Sequence, residues 1–279
     1  MNAERSIQAT VDEALGEAPG RGRLEGRRIL IVGAGQEDHG LDEPPIGNGR
    51  AMSILFAREG ASVALLDLNE QSADETAELV RAEGADALVI GADASSEEAM
   101  TDAFERTRAQ FGGIDGLVMN AGIGAGLGLA GTSVEDWDRV MAVNARSQFL
   151  GCKLAMGSMD DPGAVVLVGS IASREVMPFP VYAASKAALE ALCRQSAVEG
   201  APRIRTNLLM PGLINTSLGR LASQISPLRD EVPIPAGRQG TAWEVAYAAV
   251  FLLSGESSYV TGQSLIVDGG LTVAPRATR

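Results

Sequence analysis

Arg28-Ile-Leu-Ile-Val-Gly-Ala-Gly35 is a short apolar run that ends in two glycines. It reads as a buried β-strand emptying into a tight turn, because consecutive apolar side chains leave neither face of the strand for water. The same unit recurs along the chain. Strand readings at 62–66, 87–90, 117–119, 164–168, 204–209 and 264–267 alternate with helical apolar spacing at 51–58, 70–83, 96–111, 181–199 and 241–253. A further long helix begins near Ser133, where Ser133 and Asp136 form a capping pair. Strands apolar on both faces, alternating with helices, imply an α/β fold. The expected architecture is a doubly wound parallel sheet of about seven strands, covered on both sides, with right-handed crossovers. No Pro/Gly/Ser-rich linker and no internal repeat divides the chain, so 26–279 reads as a single domain.

Composition narrows the function. The 279 residues are 46% hydrophobic and 21% charged, a globular balance. Acidic residues number 36 against 23 basic, a net charge of −13, which disfavours nucleic acid and anionic membrane. His39 is the single histidine, so a zinc site built on several imidazoles is excluded and no metal is expected. Cys152 and Cys193 form no C-x-x-C pair and fit buried thiols in a reducing cytosol, so a cytoplasmic protein is expected. No run of 18 apolar residues is present. Residues 1–25 are polar and mixed in charge, and read as a frayed or loosely docked N-terminal extension rather than a signal peptide.

The turn after the first strand carries glycine where a dinucleotide needs it, for close backbone approach to pyrophosphate and for free N–H groups at a helix N-terminus. The G-x-G-x-x-G spacing fails, because Asp38 occupies the third glycine position. G-x-x-x-G-x-G is recovered when Gly33 is paired with Gly47 and Gly49 across ten extra residues, 37–46. Gly35 and Asn48 belong to the same turn. Asp67 ends the second strand about 20 residues after Gly47, where a carboxylate binds the adenosine ribose hydroxyls and repels a 2′-phosphate. NAD is therefore favoured over NADP. Asp93, with Ala94, is a weaker candidate for the adenine pocket. The insertion either loops outward to flank the cofactor, its carboxylates adding to the bias against NADP, or is a surface loop without a role.

Tyr182 and Lys186 stand four apart on an expected helix and so share a face. With three tyrosines and two lysines in the chain, Tyr-x-x-x-Lys is expected by chance about 0.02 times. A free phenol ionises near pH 10, and a neighbouring ammonium favours the phenolate. Tyr182 can then serve as general base to an alcohol or general acid to a carbonyl.

Taken in order, the glycine turn, Asp67, Asn120-Ala121-Gly122, Asn144, Ser170, Tyr182-x-x-x-Lys186, Pro211-Gly212-x-Ile214-x-Thr216 and Thr261-Gly262…Val267-Asp268-Gly269-Gly270 resemble the short-chain dehydrogenase/reductase family, single-domain branch, from about Arg28 to Leu271. The resemblance implies a Rossmann-type fold and an oxidoreductase acting on CH–OH groups with NAD. It implies that Ser170 hydrogen-bonds the substrate oxygen and Tyr182 transfers the proton. Lys186 would bind the nicotinamide ribose and depress the tyrosine pKa, and Asn144 would support a water-mediated relay to Lys186. Asn120, Ala121 and Gly122 would line the cofactor site, while Pro211, Gly212, Ile214 and Thr216 lie by the nicotinamide, Ile214 and Thr216 holding its carboxamide. Two departures stand out: Met119 before Asn120, of little consequence, and the 37–46 insertion.

Substrate specificity is expected in the glycine-rich loop 122–132 and in a lid-like segment, 215–237, made apolar by Leu218, Leu221, Ile225, Pro227 and Leu228. With Val176, Met177 and Phe179 these suggest an apolar secondary alcohol or ketone. An NADPH-dependent 3-oxoacyl-thioester reductase and a non-catalytic dinucleotide-binding protein are the alternatives. A homo-oligomer, tetramer or dimer, is implied by the resemblance, through helices 133–156 and 181–199 and through the final strand.

Overall fold

The computed structural model describes residues 12–274, with the side chains of Pro227 and Leu228 outside that description. Six long strands, β1 (Arg28–Val32), β2 (Ser62–Asp67), β3 (Ala87–Gly91), β4 (Gly116–Met119), β5 (Gly163–Val168) and β6 (Ile204–Pro211), are followed by two-residue strands β7 (Ile214–Asn215) and β8 (Gly240–Thr241), and by β9 (Ser264–Val267). The main sheet has seven parallel strands in the order β3-β2-β1-β4-β5-β6-β9. This is the Rossmann-type single-domain α/β architecture that the alternating pattern implies. The strand order reverses between β1 and β4, and a ligand is expected beyond the carboxyl ends of the strands at that crevice.

Besides a single turn at Asp12–Leu15, the α-helices are α1 (Asn48–Arg58), α2 (Glu70–Ala82), α3 (Glu97–Phe111), α4 (Val134–Met141), α5 (Ser147–Ser158), α6 (Pro180–Gly200), α7 (Ser217–Ile225) and α8 (Ala242–Leu253). Local chemistry sets their starts. Asn69, Ser96 and Ser133 each accept a backbone N–H from the third residue onward, and Thr241 forms a reciprocal capping box with Glu244. The long helix expected from Ser133 is present and runs from Val134 to Ser158, with one local change of winding. A π turn, Ala142–Arg146, joins α4 to α5 with Asn144 at its centre. Two cores form, one on each face of the sheet. Met52, Leu55 and Phe56 of α1 pack with Val245, Ala249 and Val250 of α8 on one side. Met100 and Phe104 of α3 pack with Leu150 of α5 and Leu189 of α6 on the other.

The N-terminal segment corrects the expectation of a frayed or loosely docked extension. Residues 1–11 lie outside the described residues, but 12–25 are fastened to the domain. Ala14, Ala18 and Leu24 are buried. Arg58 donates to Gly16 O at 2.6 Å, and Thr241 Oγ1 donates to Ala14 O at 2.8 Å. The fully buried Glu59 carboxylate accepts the backbone N–H groups of Arg21 and Arg23, both at 3.0 Å, and the Arg23 guanidinium. A carboxylate removed from water needs such partners. The segment supplies them, which composition alone does not reveal.

Candidate active site

The glycine turn is as tight as its sequence demands. Gly33 has φ +85°, and a Cβ there would come within 2.6 Å of Ala121 N. A Cβ on Gly49 would lie 2.0 Å from Gly33 O, so α1 can approach β1 only because that side chain is absent. Asn120 Nδ2 donates to Gly33 O at 2.7 Å, and the N–H groups of Asn120 and Ala121 share Val32 O. The Oδ1 atom of Asn48, in the first turn of α1, is buried without a protein partner. A glycine cradle, a helix N-terminus and an uncommitted polar atom fit the pyrophosphate end of a dinucleotide.

Gln36 closes the base of the insertion. Its Oε1 accepts Gly47 N at 2.8 Å, while its backbone N–H donates to Ser72 Oγ at 2.7 Å and its carbonyl accepts that hydroxyl at 2.8 Å. The turn therefore keeps Gly47 to Gly49 beside Gly33 despite the ten extra residues. Asp67 sits at the end of β2. Its Oδ2 accepts Gly35 N at 2.8 Å and its Oδ1 accepts Asn69 N at 3.0 Å, leaving lone pairs on both oxygens. Asp93 follows β3 and accepts Ser95 N at 2.8 Å; Ala94 is buried beside it.

The other half of the site lies along the ends of β4, β5 and α6. Ser170 follows β5, accepts Ala172 N at 3.2 Å, and is hydrogen-bonded to the Tyr182 hydroxyl. Lys186 Nζ lies 5.7 Å from the centre of the Tyr182 ring and donates to Val168 O at 2.9 Å. A methyl on Gly122 would sit 3.2 Å from Lys186 Nζ and 3.5 Å from Asn144 Oδ1, so those groups flank one small space. Asn144 is fully buried. Its amide exchanges two hydrogen bonds with the Ile123 backbone, at 2.8 and 2.9 Å, and donates to Ser185 Oγ at 3.0 Å. Asn144 thus ties the 120–123 turn to the helix bearing Tyr182, because Ser185 in turn donates to Tyr182 O.

The electrostatics correct one expectation. Burial pushes the Tyr182 phenol up, and the Ser170 hydrogen bond, which pulls it down, does not offset this. Lys186 is itself pushed down to about 8, because burial strips its ammonium of water. Desolvation outweighs attraction in the protein without ligand. Lys186 therefore costs the folded state energy at neutral pH. Its folded value lies below its unfolded one, so stability rises with pH across the window from about 8 to the ordinary lysine value of 10.5. Lys186→Met is accordingly expected to stabilise the ligand-free protein by about 2 kcal/mol at pH 7, read as a rise in Tm of a few degrees. The gap from the parent should shrink above pH 8. A lower Tm for the variant would refute the burial argument.

The remaining expected residues line the next strand end. Pro211 closes β6, and Gly212 donates to Val267 O at 2.9 Å. Ile214 lies in β7, and Thr216 caps α7 by accepting Gly219 N at 3.1 Å. β7 pairs with β8, so the 215–237 segment leaves and rejoins the domain at one point. Arg229 ties it inward, donating to Ile214 O, Ser223 Oγ and Gln239 Oε1. Gln148 was missed by spacing. It is fully buried, donates to the Val168 carbonyl that Lys186 also uses, and leaves its own Oε1 without a protein partner. The signal available was a polar residue one turn past Asn144 in an apolar helix. Among the described residues, no group of His, Cys, Asp and Glu is arranged to hold a metal, and no helix is long and apolar enough to cross a membrane.

A dinucleotide fold whose strand ends gather a glycine cradle, an acidic β2 terminus and a Ser-Tyr-Lys cluster defines the class of nicotinamide-linked oxidoreductases. The chain belongs to the short-chain dehydrogenase/reductase family: residues 46–272 match the family described as "Enoyl-(Acyl carrier protein) reductase". It is 35% identical over 262 residues to 3beta-hydroxysteroid dehydrogenase 1 of Eggerthella lenta, covering 90% of this chain and 96% of that one. It is 37% identical over 265 residues to 2-(S)-hydroxypropyl-CoM dehydrogenase 3 of Xanthobacter autotrophicus, covering 90% and 98%. A crystal structure of a short-chain type dehydrogenase/reductase from Mycobacterium marinum superposes with a TM-score of 0.82 at 29% identity, over 90% of this chain and 97% of that one. The protein is therefore an oxidoreductase of the kind that uses a nicotinamide cofactor on hydroxyl or carbonyl groups of small molecules.

Proposed function

We propose that the protein is an NAD-dependent dehydrogenase interconverting an apolar secondary alcohol and its ketone (class EC 1.1.1), with Tyr182 as the proton-transfer group. One observation carries this reading: the Tyr182 hydroxyl is bonded to Ser170 and backed by buried Lys186, at the far end of an edge that begins at the glycine cradle. The cofactor supplies or accepts the hydride. Ser170 holds the substrate oxygen by a hydrogen bond, and Tyr182 takes its proton in oxidation or returns it in reduction. Lys186 holds the ribose and feeds the proton path, with Asn144 positioning the turn beside it. Asn120, Ala121 and Gly122 form the floor of the cofactor site, and Pro211, Gly212, Ile214 and Thr216 its nicotinamide end.

NAD is the cofactor on this reading because Asp67 presents a carboxylate where a 2′-phosphate would stand. The half-buried Met177 and Phe179 and the partly exposed Leu218 and Ile225 favour an apolar substrate. Exposed Trp137, Phe149 and Val198 on α4, α5 and α6 favour a homo-oligomer, dimer or tetramer, and the thiol usage favours the cytoplasm. The family description favours, as a second reading, reduction of an acyl thioester with NADPH. Asp67 and the net charge of −13 oppose it, since an acidic carrier protein needs a basic face. A panel of secondary alcohols and of acyl thioesters, assayed with each cofactor by reduced-nicotinamide absorbance, tests the assignment. Turnover with NAD is expected to exceed that with NADP by at least about tenfold, the worth of roughly 1.4 kcal/mol. The opposite preference, or turnover of thioesters alone, would overturn it.

A further inference from the structure

We propose that the 37–46 insertion is a cofactor-selectivity element: Glu37 and Asp38 keep a 2′-phosphate out of a cavity that would otherwise accept one on Arg50. This rests on the reading of a dinucleotide whose adenosine ribose lies at Asp67.

The insertion does not project away from the domain. Pinned at Gln36, it forms with the start of α2 an open cavity of about 540 Å³ lined by Glu37, Asp38, His39, Arg50, Asn69, Ser72 and Glu75. The cavity begins where Asp67 ends. A Cβ on Gly35 would lie 2.9 Å from Asp67 Oδ2 and 3.0 Å from Ser72 Oγ, and Asn69 donates its N–H to Asp67. A group carried on the ribose beside Asp67 therefore enters this space. Size does not exclude a phosphate, because a water's share of liquid volume is only about 30 Å³. Charge must do so.

The balance of charge is unfavourable to an anion. Three carboxylates, Glu37, Asp38 and Glu75, line the cavity, and Asp67 is bonded to the backbone N–H of Asn69 in its wall. Arg50 is partly committed, donating through Nε to Thr76 Oγ1 and through Nη2 to Glu75 Oε2, both at 3.0 Å, which leaves Nη1 without a partner among the described residues. His39, held at φ +53°, lies 3.5 Å from Glu37. Asp38 is fixed by its bond to Gly40 N at 2.9 Å. In a loop that replaces three residues of the expected turn, these are the groups that the extra length introduces. Remove Glu37 and Asp38, and the cavity keeps the Arg50 guanidinium beside the first turn of α2, where the Asn69 side chain takes only the N–H of Ser72 and those of Glu70 and Gln71 stay available to a phosphate.

The side chain of Glu37 is 73% exposed, so solvent and salt weaken its repulsion, and the effect is moderate. The test is calorimetric titration with NAD+, NADP+, 5′-AMP and adenosine 2′,5′-bisphosphate, leaving Asp67 in place throughout. Glu37→Gln with Asp38→Asn is expected to shift the NADP+/NAD+ affinity ratio about tenfold toward NADP+ at low salt, and less as the Debye length shortens at high salt. The ratio for the bisphosphate over 5′-AMP should move in parallel. Adding Arg50→Ala should reverse the gain. An unchanged ratio in the double variant, or a gain that survives Arg50→Ala, would overturn the inference while leaving NAD use intact. A parent protein that binds NADP+ more tightly than NAD+ would overturn the NAD reading itself.

Discussion

Tyr182→Phe is expected to lower kcat for alcohol oxidation by about 10²–10⁴-fold, the range for loss of a positioned general acid or base. The ring, its packing and the Ser170 loop remain, so the variant should fold normally. At most one hydrogen bond to ligand is lost, worth about 0.5–1.5 kcal/mol, so NAD+ affinity should fall no more than about tenfold. The separation between these two numbers is the diagnostic. A variant that turned over alcohol at the parent rate would show that the proton leaves by another group.

The pH profile adds a sign. Burial holds the Tyr182 phenol above its ordinary value, so the hydroxyl stays protonated at neutral pH. Ketone reduction, which needs that proton, should persist through neutrality and fall only as pH rises through the raised value. Alcohol oxidation, which needs the phenolate, should climb over the same alkaline range. Initial rates in both directions should show mirror-image limbs in the parent, and neither limb in Tyr182→Phe.

Glu59→Ala is expected to destabilise the protein by about 3–5 kcal/mol, because it leaves a largely buried guanidinium and two backbone N–H groups without their acceptor. Arg23 would lose its bonded carboxylate and keep the face of Tyr247, 5.2 Å from the ring centre, and the more distant charge of Glu256. Burial alone would raise the Glu59 carboxyl. The hydrogen bonds of Arg23 and Arg21 outweigh it and hold the carboxyl below its ordinary value. The folded value is thus the lower one. The stability is fully present above the unfolded carboxylate value near pH 4.5 and is lost as pH falls through the folded value. Denaturant titration at neutral and acid pH measures it, and limited proteolysis should cut within 12–25 far sooner in the variant. A loss under about 1 kcal/mol would show that the segment is held by its apolar contacts instead.

Much of this site lies open in the sequence. Ile29 to Val32 can only be a strand buried on both faces, and Tyr182 and Lys186 must share a helical face at any temperature at which the helix exists. Gly49 announces a close approach, and Asp67 announces a strand end beside it. These inferences succeed because each depends on neighbours within a turn or a strand, where backbone geometry is fixed. The π turn at Asn144 escapes such reading, since helical spacing is blind to one extra residue.

The chain by itself therefore determined the order of strands and helices, the glycine cradle and the tyrosine–lysine pair. Only the tertiary structure decided that the N-terminal segment is clamped through Glu59, that Gln148 shares the Lys186 carbonyl, and that the insertion lines a cavity together with the start of α2. It also decided that burial, rather than the ammonium, dominates the phenol. The reason is common to all four. Desolvation and pairing depend on which distant residues fill the surrounding space, and Arg23 meets Glu59 across 36 positions while Gln148 meets Val168 across 20. Periodicity carries information along one element; the cost of removing a charge from water is set by everything packed around it.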